Sequence, residues 1–303
     1  AENYCKLFAD DTTVECVGES IEVVNFKLGK VCEKLIEWCD YNMLLINWSK
    51  TYVMYITNKR TVKPKEFKYL NITIEAVEQF KLLGVIIDNK LNFTSHVSNV
   101  RKLIFKKLYS IKRLFFLSYQ VKVQFFKTFI LPHFDYCISL SMYFSRQLIQ
   151  KLSNLYCLCL YKLLKIRLLN LSNEQVNAKL KSLNLMSYTS RVFLRTSFFT
   201  FKVLKNEESP LNLKQSFCLK EKNHSYNLRS NTIDQFKITK TKTKYGDLIF
   251  GNLFGRLLNT LFPHILTYTH TQLKLFIFSN FNEIVNKFTS EFTNFDVTYD
   301  YYF

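Results

Sequence analysis

Apolar residues recur along this chain with two different periods, and the change from one to the other divides it. Residues 4–9 and 12–17 are strand-like, with Asp10-Asp11 between them and Gly18 behind. That pattern predicts a β-hairpin whose tight turn carries two carboxylates. From Ser20, an N-cap residue type, the period becomes helical. Ile21, Val24, Leu28, Val31, Leu35 and Trp38 fall at three- and four-residue steps, and the pattern lapses near residues 40–42. A strand is expected at 50–57, then a basic loop at 59–65 containing Pro64. Two further strands, 70–77 and 80–88, are expected to pair as a small antiparallel sheet. Gly84 falls inside the second of them, which reads as either a bulge or a close approach of another backbone.

After His96 the rhythm is helical for more than a hundred residues. Helices are predicted near 96–117, 119–131, 145–166, 173–182 and 187–205, with Pro132 and Pro210 as breaks. Residues 214–245 lose the apolar pattern and carry Lys237, Lys240, Lys242 and Lys244, so they read as a basic linker. Periodicity returns at 248–288 as two short helices around Pro263. The expected class is α+β, in four parts: 1–95 with the sheets, 96–213 helical, 214–245 linking, and 246–303 a helical extension.

Composition narrows the function. With 6 Gly and 4 Pro in 303 residues, and 48% hydrophobic residues, long helices and a real core are expected. The 42 Lys+Arg against 24 Asp+Glu leave a formal charge of +18, which attracts polyanions, nucleic acid foremost. An AT-rich coding sequence, which inflates Lys, Asn, Phe and Tyr together, is a second source of the same surplus. The 8 Cys contain no CxxC pair, which leaves zinc ribbons and knuckles without support and suits a reducing, intracellular location, nuclear or cytoplasmic. No apolar run is long enough to span a bilayer, so no membrane partner is expected. His96, His133, His224, His264 and His270 show no metal-ligand spacing.

Asp-Asp turns are common because Asp suits turns, so Phe8-Ala9-Asp10-Asp11 alone says little. Its surroundings say more. The tetrad is followed by an amphipathic helix and then by Leu45-Ile46-Asn47-Trp48-Ser49-Lys50-Thr51. Phe80-Lys81-Leu82-Leu83-Gly84-Val85-Ile86-Ile87-Asp88 comes next, and Leu91-Asn92-Phe93 with His96 after it. That order resembles the end of the palm in LINE-type (non-LTR) retrotransposon reverse transcriptases: an FADD turn, an "LNxxKT" segment, a "YLGV.ID" segment and an "L.W..H" lead into the thumb. Further on, Leu131-Pro132-His133-Phe134-Asp135-Tyr136 resembles the thumb's "RPxLEY". Leu183-Asn184-Leu185-Met186-Ser187-Tyr188 with Arg191 resembles "LgLxsL..R", Tyr226-Asn227-Leu228-Arg229-Ser230 resembles "YNLRS", and Leu258-Asn259-Thr260-Leu261-Phe262-Pro263 resembles a degraded "WNxLP".

The resemblance implies a partial palm, a helical thumb and a C-terminal extension of an RNA-directed DNA polymerase. Asp10 and Asp11 match two of the family's three carboxylates for two Mg²⁺ ions, and the small Ala9 leaves room for the primer end. Lys50 matches a lysine proposed to protonate the pyrophosphate in related polymerases; an ordinary exposed lysine is the other reading. Leu83, Gly84 and Val85 match the primer-grip strand. Arg101, Lys102, Lys106, Lys107, Lys112 and Arg113 run through one helix beside Leu103, Phe105, Leu108 and Leu114, so one face could pack while the other meets phosphates. A merely solvated basic face is the alternative. The implied partners are an RNA template, a DNA primer and dNTPs. Tryptophans expected near Leu258 and after Tyr136 are missing, as in a divergent or decayed copy. The third carboxylate and the fingers of the family precede the segment matched here. The chain is therefore expected to be a fragment, inactive by itself. A non-enzymatic basic remnant that only binds nucleic acid is the rival reading. A prenyl-synthase DDxxD motif fails because position 14 is Val14.

Overall fold

A computed structural model describes residues 4–57, 59, 63–111, 116–168, 170–219, 236–261, 265 and 267–297. The fold is α+β, mostly helical with small sheets. Contacts divide it into two compact units, Ala1–Phe93 and Thr94–Phe303.

In the first unit, β1 (Tyr4–Phe8) and β2 (Asp11–Glu15) form an antiparallel hairpin with Phe8 opposite Asp11. Helix α1 (Ile21–Tyr41) begins where the Ser20 hydroxyl accepts the Val23 N–H, and stops where Asn42 bonds back to the Trp38 carbonyl. It packs on a three-stranded sheet made of β3 (Tyr52–Val53), β4 (Glu66–Tyr69) and β5 (Ile72–Ala76), in the order β3-β5-β4. Cys32, Phe67 and Ile74 form the buried centre, flanked by Leu28, Trp48, Val53, Tyr69 and Ile72. Gly29 stands where the Tyr69 ring comes close: a Cβ there would lie 3.2 Å from it.

The sheets differ from the sequence expectation in three ways. Only Tyr52–Val53 of the expected strand at 50–57 pairs into a sheet. Before it, the Asn47 carbonyl takes the Lys50 N–H and the Thr51 hydroxyl, winding Trp48–Lys50 into a 3₁₀ turn. Second, β5 does not pair with 80–88. It pairs antiparallel with β4, a strand the alternation does not announce, and parallel with β3. Third, 80–88 is no single strand: β6 (Gln79–Leu82) folds back on β7 (Val85–Asp88) through Leu83-Gly84. Both loop residues have positive φ, 45° and 87°, as a tight hairpin turn between right-twisted strands requires. Gly84 is therefore no bulge inside a strand; it permits the turn. The Asp88 carboxylate then accepts the N–H groups of Lys90, Asn92 and Phe93 and closes the unit.

The second unit opens with α2 (Thr94–Ile111), followed by α3 (Tyr119–Phe125) and α4 (Leu131–Asp135). Pro132 does not break this run. Residues Phe126–Ile130 widen into a π-turn, with the Leu131 N–H reaching the Phe126 carbonyl. The wider turn makes room for the proline ring, which would otherwise meet the carbonyl four residues back. Helices α5 (Arg146–Leu164), α6 (Asn173–Leu180) and α7 (Tyr188–Lys205) follow behind Ser145, Ser172 and Ser187. Ser172 and Gln175 complete a capping box. Then come α8 (Leu211–Gln215), α9 (Lys244–Asp247), α10 (Phe250–Thr260), α11 (His270–Ser279) and α12 (Phe281–Glu291). Among the described residues, 248–288 thus hold parts of three helices rather than two; Pro263 lies outside them.

Tyr156 and Tyr188 sit fully buried against Phe126 and Phe134, with ring centroids 5.2–6.4 Å apart. Each hydroxyl is satisfied, Tyr156 on the Met186 carbonyl and Tyr188 on Ser141. Burial pushes the Tyr188 phenol far up. A second ring cluster joins Phe193 to Phe288, and Phe288 to Phe292 and Phe295. The described ends of the expected linker belong to this core too: Phe236 is only 2% exposed. Among the described residues no helix is long and apolar enough to cross a membrane.

Candidate functional site

The Asp-Asp hairpin is as tight as two strands allow. Phe8 pairs with Asp11, so Ala9 and Asp10 alone form the loop, and Ala9 takes a left-handed φ of 53°. Asp10 occupies the loop, while Asp11 opens β2 on the face it shares with Phe8, Lys6 and Thr13. Both carboxylates are exposed, as are Leu7 and Phe8. An ion pair of 2.6 Å between Lys6 and Glu15 ties the open end of the hairpin. Two adjacent carboxylates are the hard oxygen donors that Mg²⁺ takes. Among the described residues, no group of three or more His, Cys, Asp or Glu could hold a metal, so the pair fits part of a two-ion site and not a whole one.

Lys50 is exposed at the end of the 3₁₀ turn, next to the three-stranded sheet. Among the described residues no ion pair joins it to Asp10 or Asp11. Leu83 and Gly84 form the tip of the β6–β7 hairpin, and Val85 is buried at the start of β7. The matched primer-grip residues are thus a hairpin tip, not a flat strand.

Helix α2 sorts its residues differently from the sequence expectation. Val97 and Ile104 are its buried anchors, with Val100, Arg101, Lys107 and Leu108 half-buried beside them. Leu103 and Phe105, expected in the packed face, are exposed; at 100° per residue they flank the stripe running through 97 and 104. Leu114, Lys112 and Arg113 lie outside the described residues. Lys102, Phe105, Lys106 and Tyr109, spaced i, i+3, i+4 and i+7, form one exposed face that alternates cations with rings. Lys107 sits over the Phe129 ring, 5.7 Å from its centroid. With burial as the larger cause, the Lys107 charge lowers the pKa of His133; burial alone lowers that of His96.

Two segments singled out separately in the sequence meet in an ion pair. Arg191 on α7 donates Nε–H and Nη2–H to the two carboxylate oxygens of Asp135 on α4, and Arg195 adds a bond of 3.1 Å to the same group. Bidentate geometry of this kind needs Arg rather than Lys. Beside it, the Asn177 amide bridges Ser187 and Ser190, fixing α6 to the start of α7. The Asn of the degraded "WNxLP" segment serves as a backbone clamp, since Asn259 bonds both the N–H and the carbonyl of Phe236. Two turns earlier, Asn252 does the same for Thr239. No motif in the sequence points to Asn252, although its i, i+7 spacing from Asn259 is a signal that could have found it. The Tyr226–Ser230 element lies outside the described residues.

Comparison with known proteins returns no matching family model, no matching curated protein and no matching solved structure.

Proposed function

We propose that the chain is the C-terminal half of a non-LTR retrotransposon reverse transcriptase, comprising the end of the palm, the thumb and a C-terminal extension. The observation that carries this reading is the Asp10-Asp11 hairpin, a two-residue loop presenting adjacent exposed carboxylates, in the ordered company of the other matched segments. Tight hairpins fix ligand geometry better than long loops do.

In the parent enzyme Asp10 and Asp11, with a third carboxylate from a preceding strand, would hold two Mg²⁺. Bound Mg²⁺ supplies Lewis acidity at the primer hydroxyl and the leaving pyrophosphate. In that reaction the 3′-oxygen, its proton passed to water, would bond to the α-phosphorus as the bond to the leaving pyrophosphate breaks, and Lys50 would give the pyrophosphate a proton. The exposed Lys102-Phe105-Lys106-Tyr109 face of α2 tracks the backbone of the template–primer duplex.

On this reading extension needs the third carboxylate that the family carries on a preceding strand, and the chain by itself binds nucleic acid without extending it. Sequencing the encoding transcript tests the reading: an open frame leading into Ala1 must encode a further Asp strand and fingers. The full product must extend a DNA primer on an RNA template with Mg²⁺, and Asp10→Asn or Asp11→Asn must abolish extension while leaving binding intact. Stop codons upstream, or extension indifferent to both variants, would leave only the nucleic-acid-binding remnant.

A further inference from the structure

On α7 the positions 195, 198, 199, 202 and 205 fall on one face of the helix. With His270 at the start of α11, they line an open groove of 630 Å³. Its floor is aromatic: Phe201 is 3% exposed, Phe198 is half-buried, and Phe199 presents 42% of its surface. The His270 ring lies 5.1 Å from Phe198 and 6.4 Å from Phe201. Its rim is cationic, for Arg195, Lys202 and Lys205 line it and no carboxylate does.

The rim cations are placed to act outward. Arg195 gives Asp135 a single N–H and keeps the rest of its five-donor fork. Lys202 is exposed, and Lys205 lies over the Phe201 ring with its Nζ 6.0 Å from the centroid. From Arg195 to Lys205 the helix rises ~15 Å, long enough to follow a few nucleotides of extended backbone. An apolar peptide would offer nothing to the cationic rim, and a duplex would hide its bases from Phe199. Single-stranded nucleic acid offers both phosphates for the rim and unstacked bases for the ring.

We propose that this groove is a binding site for single-stranded nucleic acid, with bases stacked on Phe199 and His270 and phosphates held by Arg195, Lys202 and Lys205. It shares with the proposed function only the premise that the chain meets nucleic acid, and it uses α7 rather than α2.

Fluorescence anisotropy of the full chain with labelled 16-mer oligo(dT), oligo(U) and a duplex of equal length tests it. Phe199→Ala is expected to weaken single-strand binding about 10-fold, the effect of one lost base stack, and to leave duplex binding unchanged. Lys202→Glu with Lys205→Glu should lower the slope of log affinity against log salt by about 1.4, two single-strand phosphate contacts. Circular dichroism with a thermal melt checks that each variant is folded. Wild-type single-strand affinity in folded variants overturns the proposal, as does an equal loss for duplex. Tighter binding of poly-glutamate than of oligo(dT) at equal charge also overturns it, by making the groove an acidic-peptide site. If Lys102→Glu with Lys106→Glu alone removes all binding, the groove falls and the α2 reading stands. The reverse pattern spares the groove and removes α2.

Discussion

The two units of this protein are built from the same aromatic-rich alphabet but bury it very differently. In Ala1–Phe93 the centre is Cys32, Phe67 and Ile74 with a few half-buried neighbours. Leu7, Phe8, Phe26, Trp38, Tyr41 and Met43 stand exposed, and Leu45 is 98% exposed. Its described strands are spread over three small sheets. Such short ladders are marginal without a hydrophobic face to lie on. In Thr94–Phe303 the buried set runs from Val97 to Val297, and the first turns of α7, Tyr188–Leu194, are buried all round. Stability in this molecule therefore resides in the second unit, whereas the candidate metal ligands reside in the first. Amide exchange should follow that division, with β1–β2 exchanging early and α5 and α7 last.

The sharpest way to break the comparison is Phe193→Ala. Phe193 is fully buried, with its ring 5.2 Å from Phe288, so truncation should cost about 4 kcal/mol in chemical denaturation. Exchange in β1–β2 should not change, and if it accelerates in step, the units are one cooperative body. Arg191→Leu comes next, at about 3 kcal/mol, because it strands the Asp135 carboxylate with only the single Arg195 bond. Arg191→Lys should recover part of the loss but not the bidentate share. Asn259→Ala removes the amide that clamps the Phe236 N–H and carbonyl and should cost about 1–2 kcal/mol, read as reduced amide protection at Phe236 while α5 stays protected.

The smallest effect is with pH. His96 and His133 are both lowered from 6.5 by burial, Lys107 adding to the second. Below 6.5 the unfolded chain takes up protons that the folded one does not. The stability of the second unit is therefore complete above that pH and declines as the pH falls through the folded values. A melting temperature that holds flat from pH 7 to 5 would mean that neither histidine couples protonation to folding. His96→Gln should flatten the profile in part.

How much of this was legible in the sequence depends on whether the signal was local. Helices α5, α6 and α7 lie close to their expected bounds because their apolar periodicity is a local signal. The Asp-Asp hairpin is of the same kind, since two carboxylates between two short strand-like runs mark a tight turn. The β6–β7 turn was hidden because Leu-Leu-Gly-Val carries no polar turn residue, so an apolar run concealed a reversal. The π-turn before Pro132 and the pairing of β5 are set by packing, which no short window contains. The basic-aromatic face of α2 was half legible: its cations stand out in the sequence, but Phe105 reads there as a core residue. The α7 groove needed α11 beside it, sixty-five residues from Lys205 to His270, and could be read only from the fold.

The left-handed backbone at Ala9 has a consequence for rigidity. Ala9→Gly would relieve about 1 kcal/mol of backbone crowding, yet glycine gives the unfolded chain more freedom to lose and so returns most of that gain. What changes is the breadth of the well in which the loop sits. With a Cβ at position 9 the left-handed well is narrow, and the peptide plane leading to Asp10 is held in one orientation. With glycine the same plane could swing between several. Ala9 thus exchanges a little stability for a carboxylate pair whose aim does not wander.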